Sequence, residues 1–151
     1  MKKSKGFTLI ELLVVIAIIG ILATIVLVSL NSARQKARDT RRITDVRQVA
    51  LALEMYYDGS STSAYPAVTG CTTANWTTMA TAITGGGYMT AVPNDPLNSG
   101  NNVYMYGGTT TGYTLRAVLE NASNPAFAND VDGTSVSCDC ADVNKAYCIA
   151  P

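Results

Sequence analysis

The feature that most limits the fold is an apolar run near the N-terminus. Residues 12–30 contain no charged side chain and are rich in Ile, Leu and Val. A helix needs about 20 such residues to cross the hydrocarbon core of a bilayer. The run therefore predicts a membrane-spanning helix, and the rest of the chain is long enough for about one small domain.

A cleaved secretory signal is the alternative interpretation of this run. The apolar core of such a signal has about 7–15 residues and ends at a small-residue cleavage site. Here the run is longer and Glu11 interrupts its start, although residues 29–33 (SLNSA) resemble a cleavage region. We therefore expect the mature protein to keep the segment.

The helical pattern continues beyond the apolar run. Ile43, Val46, Val49 and Leu53 recur at intervals of three or four residues among charged positions, as in an amphipathic helix. Gly59 and a Ser/Thr stretch then end the pattern. The sequence predicts one helix over residues 7–58, with a membrane or packing half at 7–30 and an amphipathic half at 31–58.

Charge divides the chain into a basic stem and an acidic head. Residues 34–47 hold six bases against two acids, whereas the later residues hold two bases against eight acids. Three lysines precede the apolar run, so the bases on its two sides give conflicting signals for the positive-inside rule. The cysteines and the polar composition favour a head outside the cytoplasm.

The sequence of residues 59–151 predicts a small α+β head. Residues 76–84 predict a short helix, and residues 102–106 and 113–119 carry large apolar or aromatic residues at alternate positions, like two strands of a hairpin. Residues 147–150 could add a third strand. The predicted fold class is α+β, with one long N-terminal helix packed on a small antiparallel sheet.

The head contains all four cysteines of the chain, Cys71, Cys138, Cys140 and Cys148. An even number after a membrane-directing segment predicts disulfides in an oxidising compartment. A bond between Cys138 and Cys140 would be strained, so we expect Cys71 to pair with one of these two and Cys148 with the other. A four-thiolate zinc site is the alternative, but no C-x-x-C pair and no histidine support it.

Residues 5–11, KGFTLIE, followed by the apolar run, resemble the class III signal of type IV pilins and of the pseudopilins of type II secretion. The resemblance implies a leader at residues 1–6, cleavage by a prepilin peptidase between Gly6 and Phe7, and N-methylation of Phe7. It also implies that Glu11 pairs with the Phe7 amine of a neighbouring subunit in a helical filament. The amine of its own Phe7, about one helical turn away, is the alternative partner. An inner-membrane assembly platform with its ATPase would build the filament, at the cell surface or in the periplasm.

Parts of the head are similar to the major pseudopilin of type II secretion. These are residues 52–57 (ALEMYY), Tyr65 with Pro66, residues 87–89 (GYM) and residues 92–96 (VPNDP), although Leu97 replaces the usual tryptophan. The resemblance implies a Ca²⁺ site that uses Asp130 and Asp132. An ordinary acidic turn is the alternative, because Ala128 stands where an EF-hand frame would begin with an acid.

The sequence offers little for catalysis, since it has no histidine and no Gly-rich phosphate loop after a strand. Together with the resemblance above, which implies a structural filament subunit in either a pilus or a secretion pseudopilus, this disfavours an enzyme. A monomeric binding module tethered to the membrane is the alternative from another class, for which Glu11 would be dispensable. The basic stem suits lipid headgroups or neighbouring heads, and its interleaved Asp39 and Asp45 disfavour nucleic acid.

Overall fold

The computed structural model describes residues 7–151, so the predicted leader with Gly6 lies outside the described part. The chain forms two compact units, of which the first ends at Gln35 and the second is Lys36–Pro151. One helix, α1 (Leu9–Gly59), runs through both units. From Lys36 onward, the amphipathic half of this helix belongs to the same unit as the head.

In the first unit, every described residue is exposed. The large apolar side chains keep much of their surface open, for example 78% at Leu9 and 73% at Val28. By length and composition, α1 is the one helix among residues 7–151 that is apolar enough to cross a membrane. The predicted apolar helix is present, and its residues 9–35 are all exposed in the described part of the chain.

The second unit is built around the amphipathic half of α1. Val46, Val49 and Leu53 of this helix are fully buried. They pack in one core with Trp76 and Met79 of a second helix, α2 (Thr73–Gly85). The helix predicted at residues 76–84 begins earlier because the Thr72 side chain accepts a hydrogen bond from the Asn75 N–H and caps it.

Three strands form the sheet of the head. Strands β1 (Met105–Gly108), β2 (Tyr113–Val118) and β5 (Ala146–Ile149) are antiparallel, with β2 in the centre. Tyr106 faces Leu115 across the first pair, and Ala117 faces Tyr147 across the second. A short hairpin of β3 (Thr134–Ser135) and β4 (Cys138–Asp139) precedes β5. The α+β prediction is confirmed.

Strand β1 starts at Met105, later than the strand predicted at residues 102–106. Tyr104 leaves the ladder because its ring packs on Trp76, with centroids 5.0 Å apart, and its hydroxyl donates to Asp45 at 2.9 Å. The strand instead continues into Gly107, where a Cβ atom would collide with the carbonyl oxygen of Val136. Gly107 and Gly108, which lie between the two predicted strands, are therefore part of β1.

Two disulfides connect the head. Cys71 pairs with Cys138, across 67 residues of sequence, and Cys140 pairs with Cys148, across 8 residues. This is one of the two pairings that were expected, and all four cysteines are used. The first bond ties the loop before α2 to β4, and the second closes a small loop that ends in β5.

Candidate functional site

The start of α1 holds the residues expected to direct processing and assembly. Phe7 is 83% exposed and lies two residues before the helix. The Glu11 carboxylate accepts hydrogen bonds from the Thr8 N–H at 2.8 Å and the Thr8 hydroxyl at 2.7 Å, while the Glu11 N–H donates to the Thr8 hydroxyl. This reciprocal arrangement is a capping box.

An acid is favoured near a helix start, but the capping box of Glu11 was not predicted, although the T-x-x-E spacing from Thr8 to Glu11 is a recognisable signal for it. Both hydrogen bonds from Thr8 go to one carboxylate oxygen, Oε2. Among residues 7–151, no hydrogen bond reaches the other oxygen, Oε1. The local cap therefore leaves half of the carboxylate available.

A second cluster of charges is buried in the head, and we call it the Arg42 cluster. Its members come from α1, from the loop before β1 and from the segment after β2: Arg38, Asp39, Arg42, Asp95 and Glu120. The Arg42 guanidinium donates to Asp95 at 2.6 and 3.1 Å, to Asp39 at 2.9 Å and to Glu120 at 2.8 Å. The side chains of Arg42, Asp39 and Asp95 are completely shielded from solvent.

The two loops are held through backbone groups as well as ion pairs. Asp39 accepts from the backbone N–H groups of Glu120 and Asn121, at 2.8 and 3.0 Å. Asp95 accepts from the N–H of Leu97 at 2.8 Å. The Arg42 cluster therefore fixes two separate loops to the same stretch of α1.

The charged groups of the Arg42 cluster shift the pKa values of its acids. Hydrogen bonds from Arg38 and then Arg42 lower the pKa of Glu120 to about 2, against the opposing effect of burial. Burial alone would raise the pKa of Asp95, but its bonds to Arg42 and to the Leu97 N–H bring the pKa below its usual value. Both acids stay ionised at neutral pH.

The Arg42 cluster changes the interpretation of the basic stem. Arg38 donates to Glu120 with two bonds of 2.6 Å, so it and Arg42 are engaged inside the head. Lys36, Arg41 and Arg47 of the second unit remain exposed. Fewer bases are thus free to meet lipid or another subunit than the sequence suggested.

Three carboxylates gather beside the small disulfide loop. Asp130 and Asp132, both expected from the sequence, lie with Asp142 so that one oxygen of each falls within 4.8 Å of the others. Asp142 was not predicted, because it comes from the loop that the Cys140–Cys148 bond closes. Asp130 is tied to that bond by its Oδ2, which accepts from the Cys148 N–H at 3.0 Å.

The acidic triad has the chemistry of a calcium site. Burial, together with the charges of Asp142 and Asp132, raises the pKa of Asp130 despite its bond to Cys148. Its other oxygen, Oδ1, is buried and has no hydrogen-bond partner among residues 7–151. A hard cation such as Ca²⁺ would coordinate the unsatisfied buried oxygen and offset the repulsion among the three carboxylates. These residues therefore fit the expected ion.

Comparison with known proteins identifies the family of the chain. A family model described as the prokaryotic N-terminal methylation motif matches residues 1–27. The type II secretion system core protein G of Vibrio cholerae is 34% identical over 130 residues, which cover 78% of this chain and 83% of that protein. The chain belongs to the type IV pilin and pseudopilin family. It is a structural subunit that assembles with other subunits into a filament.

Other relatives match a shorter part of this pilin-family chain. The type IV wide pilus major component of Thermus thermophilus is 48% identical over 56 residues, or 37% of this chain and 43% of that protein. The core protein G of Escherichia coli is 43% identical over 54 residues, covering 36% and 37%. The chain thus spans less than half of these two relatives, and no solved structure matches it.

Proposed function

We propose that the chain is inserted into the cytoplasmic membrane as a prepilin and is cut between Gly6 and Phe7. A prepilin peptidase makes the cut, and Phe7 is then methylated on its new amine. The observation that carries this proposal is the match of the methylation motif to residues 1–27, which include both residues. The exposure of Phe7 just before α1 is consistent with access for both reactions.

Glu11 then directs assembly by pairing with the Phe7 amine of a neighbouring subunit. A carboxylate that enters an apolar environment needs a partner, because desolvation penalises its charge. Thr8 supplies hydrogen bonds to Oε2 but no positive charge. An amine from the next subunit would reach Oε1 and satisfy both charges at one axial offset, which sets the register between subunits.

The apolar half of α1 serves in turn as membrane anchor and as packing surface of the filament. Its large apolar side chains are exposed in the single chain, and either lipid or neighbouring helices would remove them from water. The head stays outside the cytoplasm, where its two disulfides form. An assembly platform with an ATPase supplies the work of extraction from the membrane.

The membrane-tethered monomer makes the opposite prediction, so Glu11 tests the proposal. We expect Glu11→Ala to reduce at least tenfold the yield of assembled subunits, measured as multimers after chemical cross-linking of whole cells, because the register contact is lost. Thr24→Ala, a polar change farther along the exposed part of α1, is the control and should keep normal yield. N-terminal mass spectrometry should find N-methyl-Phe7 in both proteins. A mature chain that begins elsewhere, or filaments unaffected by Glu11→Ala, would contradict the proposal.

Within the family, we favour a pseudopilin of type II secretion. The support is the extent of the match to the Vibrio cholerae core protein, which includes most of the head, whereas the pilus protein of Thermus thermophilus matches over 56 residues. Its higher identity over that shorter stretch, 48%, keeps a pilus subunit as the second candidate. Deletion of the gene separates them: a pseudopilin deletion abolishes export of secreted enzymes, while a pilus deletion removes surface filaments and leaves export intact.

We also propose that Asp130, Asp132 and Asp142 bind Ca²⁺ in the head. The ion would neutralise three acids and link the segment before β3 to the loop after β4. The support is the convergence of the three carboxylates and the unsatisfied Oδ1 of Asp130.

Thermal unfolding of the full chain in detergent tests the ion site. Millimolar Ca²⁺ should raise the unfolding temperature by several degrees, because the ion binds the folded head only. Asp142→Asn should remove most of this rise. Asp58→Asn changes an exposed acid outside the triad and should preserve it. An equal rise in both variants, or none in the unchanged protein, would exclude the site.

A further inference from the structure

A cavity lies on the face of the sheet that is turned away from the core. In β2, Leu115 and Ala117 are buried in the core, so the alternation of a strand places Arg116 and Val118 on the opposite face. There they border a cavity of about 290 Å³, which we call the Arg116 pocket. Its lining comes from β1, β2 and the loops beside them: Asn101, Met105, Arg116, Val118 and Asn144.

The Arg116 guanidinium is partly buried in this pocket and is not paired with an acid. Its Nε–H donates to the backbone carbonyl oxygen of Asp139 at 2.7 Å. Its Nη1 lies 3.5 Å from the sulfur of Met105, which is a weak acceptor. Among residues 7–151, no carboxylate forms an ion pair with Arg116. Three of its five N–H groups therefore have no acceptor in the described part of the chain.

Asp139 is the acid whose charge acts on Arg116, but its own loop holds the carboxylate. Oδ1 accepts from the Ala141 N–H at 3.1 Å, and Oδ2 accepts from the Asn144 amide at 2.7 Å. Burial lowers the pKa of Arg116, and the attraction of Asp139 offsets only part of this effect. The buried Arg42 is bonded to three carboxylates instead. A desolvated cation such as Arg116, without a counter-ion, is stabilised by a bound anion.

The other lining residues define what accompanies the negative charge. The exposed side chain of Asn101 and the Oδ1 of Asn144 make no hydrogen bond within residues 7–151, so the two amides offer donors and acceptors that suit hydroxyl groups. Met105 and Val118 add apolar surface for C–H groups. The volume is close to the lower limit of about 300 Å³ for small-molecule sites. The pocket therefore suits a ligand of about the size of one sugar ring.

We infer that the Arg116 pocket binds an acidic sugar, a hexuronic acid such as glucuronate. The planar guanidinium of Arg116 would hold the carboxylate through two hydrogen bonds. The two asparagine amides would bond the ring hydroxyls, and Met105 and Val118 would contact the C–H face of the ring. Phosphate is disfavoured because Arg116 is the one cation among the residues that line the pocket. This ligand site is independent of the proposed filament function.

Titration of the full ¹⁵N-labelled chain in detergent with glucuronate is the first test. Saturable shifts of the Arg116 Nε–H signal and of the Asn101 side-chain amide signal are expected in the NMR spectrum. Glucose lacks the carboxylate and acetate lacks the hydroxyls, so each should bind at least tenfold more weakly. No saturable shift with glucuronate, or equal affinity for glucose, acetate or inorganic phosphate, would overturn the inference.

Substitution of the lining residues is the second test. Arg116→Met removes the charge and should lower the affinity for glucuronate at least tenfold. Arg47→Met removes an exposed guanidinium of α1 and is the matched control, which should keep the affinity. Unchanged emission from Trp76 in both variants would show that the head is folded.

Asn101→Asp is a further variant, because Arg116→Met also removes the bond to the Asp139 carbonyl. The Asn101 side chain is exposed and makes no hydrogen bond within residues 7–151, so the fold should tolerate the change. The added negative charge should lower the affinity for glucuronate at least threefold and leave that for glucose unchanged. Unchanged glucuronate binding by both Asn101→Asp and Arg116→Met would overturn the inference.

A linear trimer of hexuronic acids, titrated in the same way, identifies the source of the sugar. Binding of the trimer at least tenfold tighter than that of the monomer would identify an acidic polysaccharide as the ligand. Equal or weaker binding would identify the free sugar acid. Either result supports the pocket, whereas failure of both monomer and trimer to bind would exclude it.

Discussion

Arg42 and Asp95, which are 53 residues apart in sequence, face each other with two hydrogen bonds while both side chains are fully buried. Burying an ion pair carries a large desolvation penalty, and this penalty is offset only where every charge is hydrogen-bonded. Arg42 meets this condition through Asp39 and Glu120 as well. The pair therefore fixes the loop before β1 to α1 rather than adding a large net stability.

Removing Arg42 should lower the unfolding free energy by much more than the small net contribution of a buried ion pair suggests. Arg42→Ala leaves Asp39 and Asp95 buried without their cation, and we expect a loss of about 3–5 kcal/mol in unfolding free energy. Urea unfolding of the full chain in detergent, followed by the emission of Trp76, measures the loss. Arg34→Ala removes an exposed base and should change stability by less than about 0.5 kcal/mol. Equal effects of the two substitutions would show that the cluster is unimportant.

Acid should weaken the head through the same cluster. The pKa of Glu120 is lowered to about 2 by Arg38 and Arg42, whereas an unfolded chain has a glutamate pKa of about 4.3. A lowered pKa in the folded state stabilises the protein above the unfolded value, and this contribution is lost as pH falls through the folded value. We expect the urea midpoint to fall between about pH 4.5 and pH 2. Glu120→Gln should flatten that fall, and an unchanged slope would argue against the assignment.

The sequence predicted the elements whose signals are local. The apolar run, the amphipathic spacing of Val46, Val49 and Leu53, and the hairpin around residues 109–112 all depend on neighbouring residues, and each is present. The helix capped by Thr72 was found with the wrong start because its threonines are weak helix formers. Local patterns were thus sufficient for the α+β fold.

The Arg42 cluster could not be predicted from local patterns. Its acids at Asp95 and Glu120 lie 53 and 78 residues from Arg42, and a charge in a sequence does not indicate its partner. Asp142 was missed in the acidic triad for a similar reason, since a disulfide loop brings it to Asp130. In contrast, the Thr8 cap of Glu11 was readable from spacing alone and was overlooked.

The two disulfides should differ in their effect on stability. Cys71–Cys138 closes a segment with a sequence separation of 67, and Cys140–Cys148 closes one of 8. The loss of chain entropy in the unfolded state predicts about 4 kcal/mol for the long loop and about 2.5 kcal/mol for the short one. Replacing each pair by two alanines and comparing urea midpoints measures both. A larger loss of stability from the short loop would contradict the entropy argument. It would indicate that the Cys140–Cys148 bond stabilises the head mainly by holding the acidic triad in place.

Gly107 should be intolerant of any side chain, because β1 passes close to the hairpin of β3 and β4. A Cβ atom at this position would collide with the carbonyl oxygen of Val136 and crowd the Cys138 sulfur. Backbone cannot yield as a flexible side chain does, so Gly107→Ala should destabilise the head by about 1–3 kcal/mol. Gly112→Ala is the matched control, since nothing lies within 4 Å of its Cβ position. Urea unfolding followed by Trp76 emission should separate the two variants, and similar midpoints would contradict the close approach of Val136 to β1.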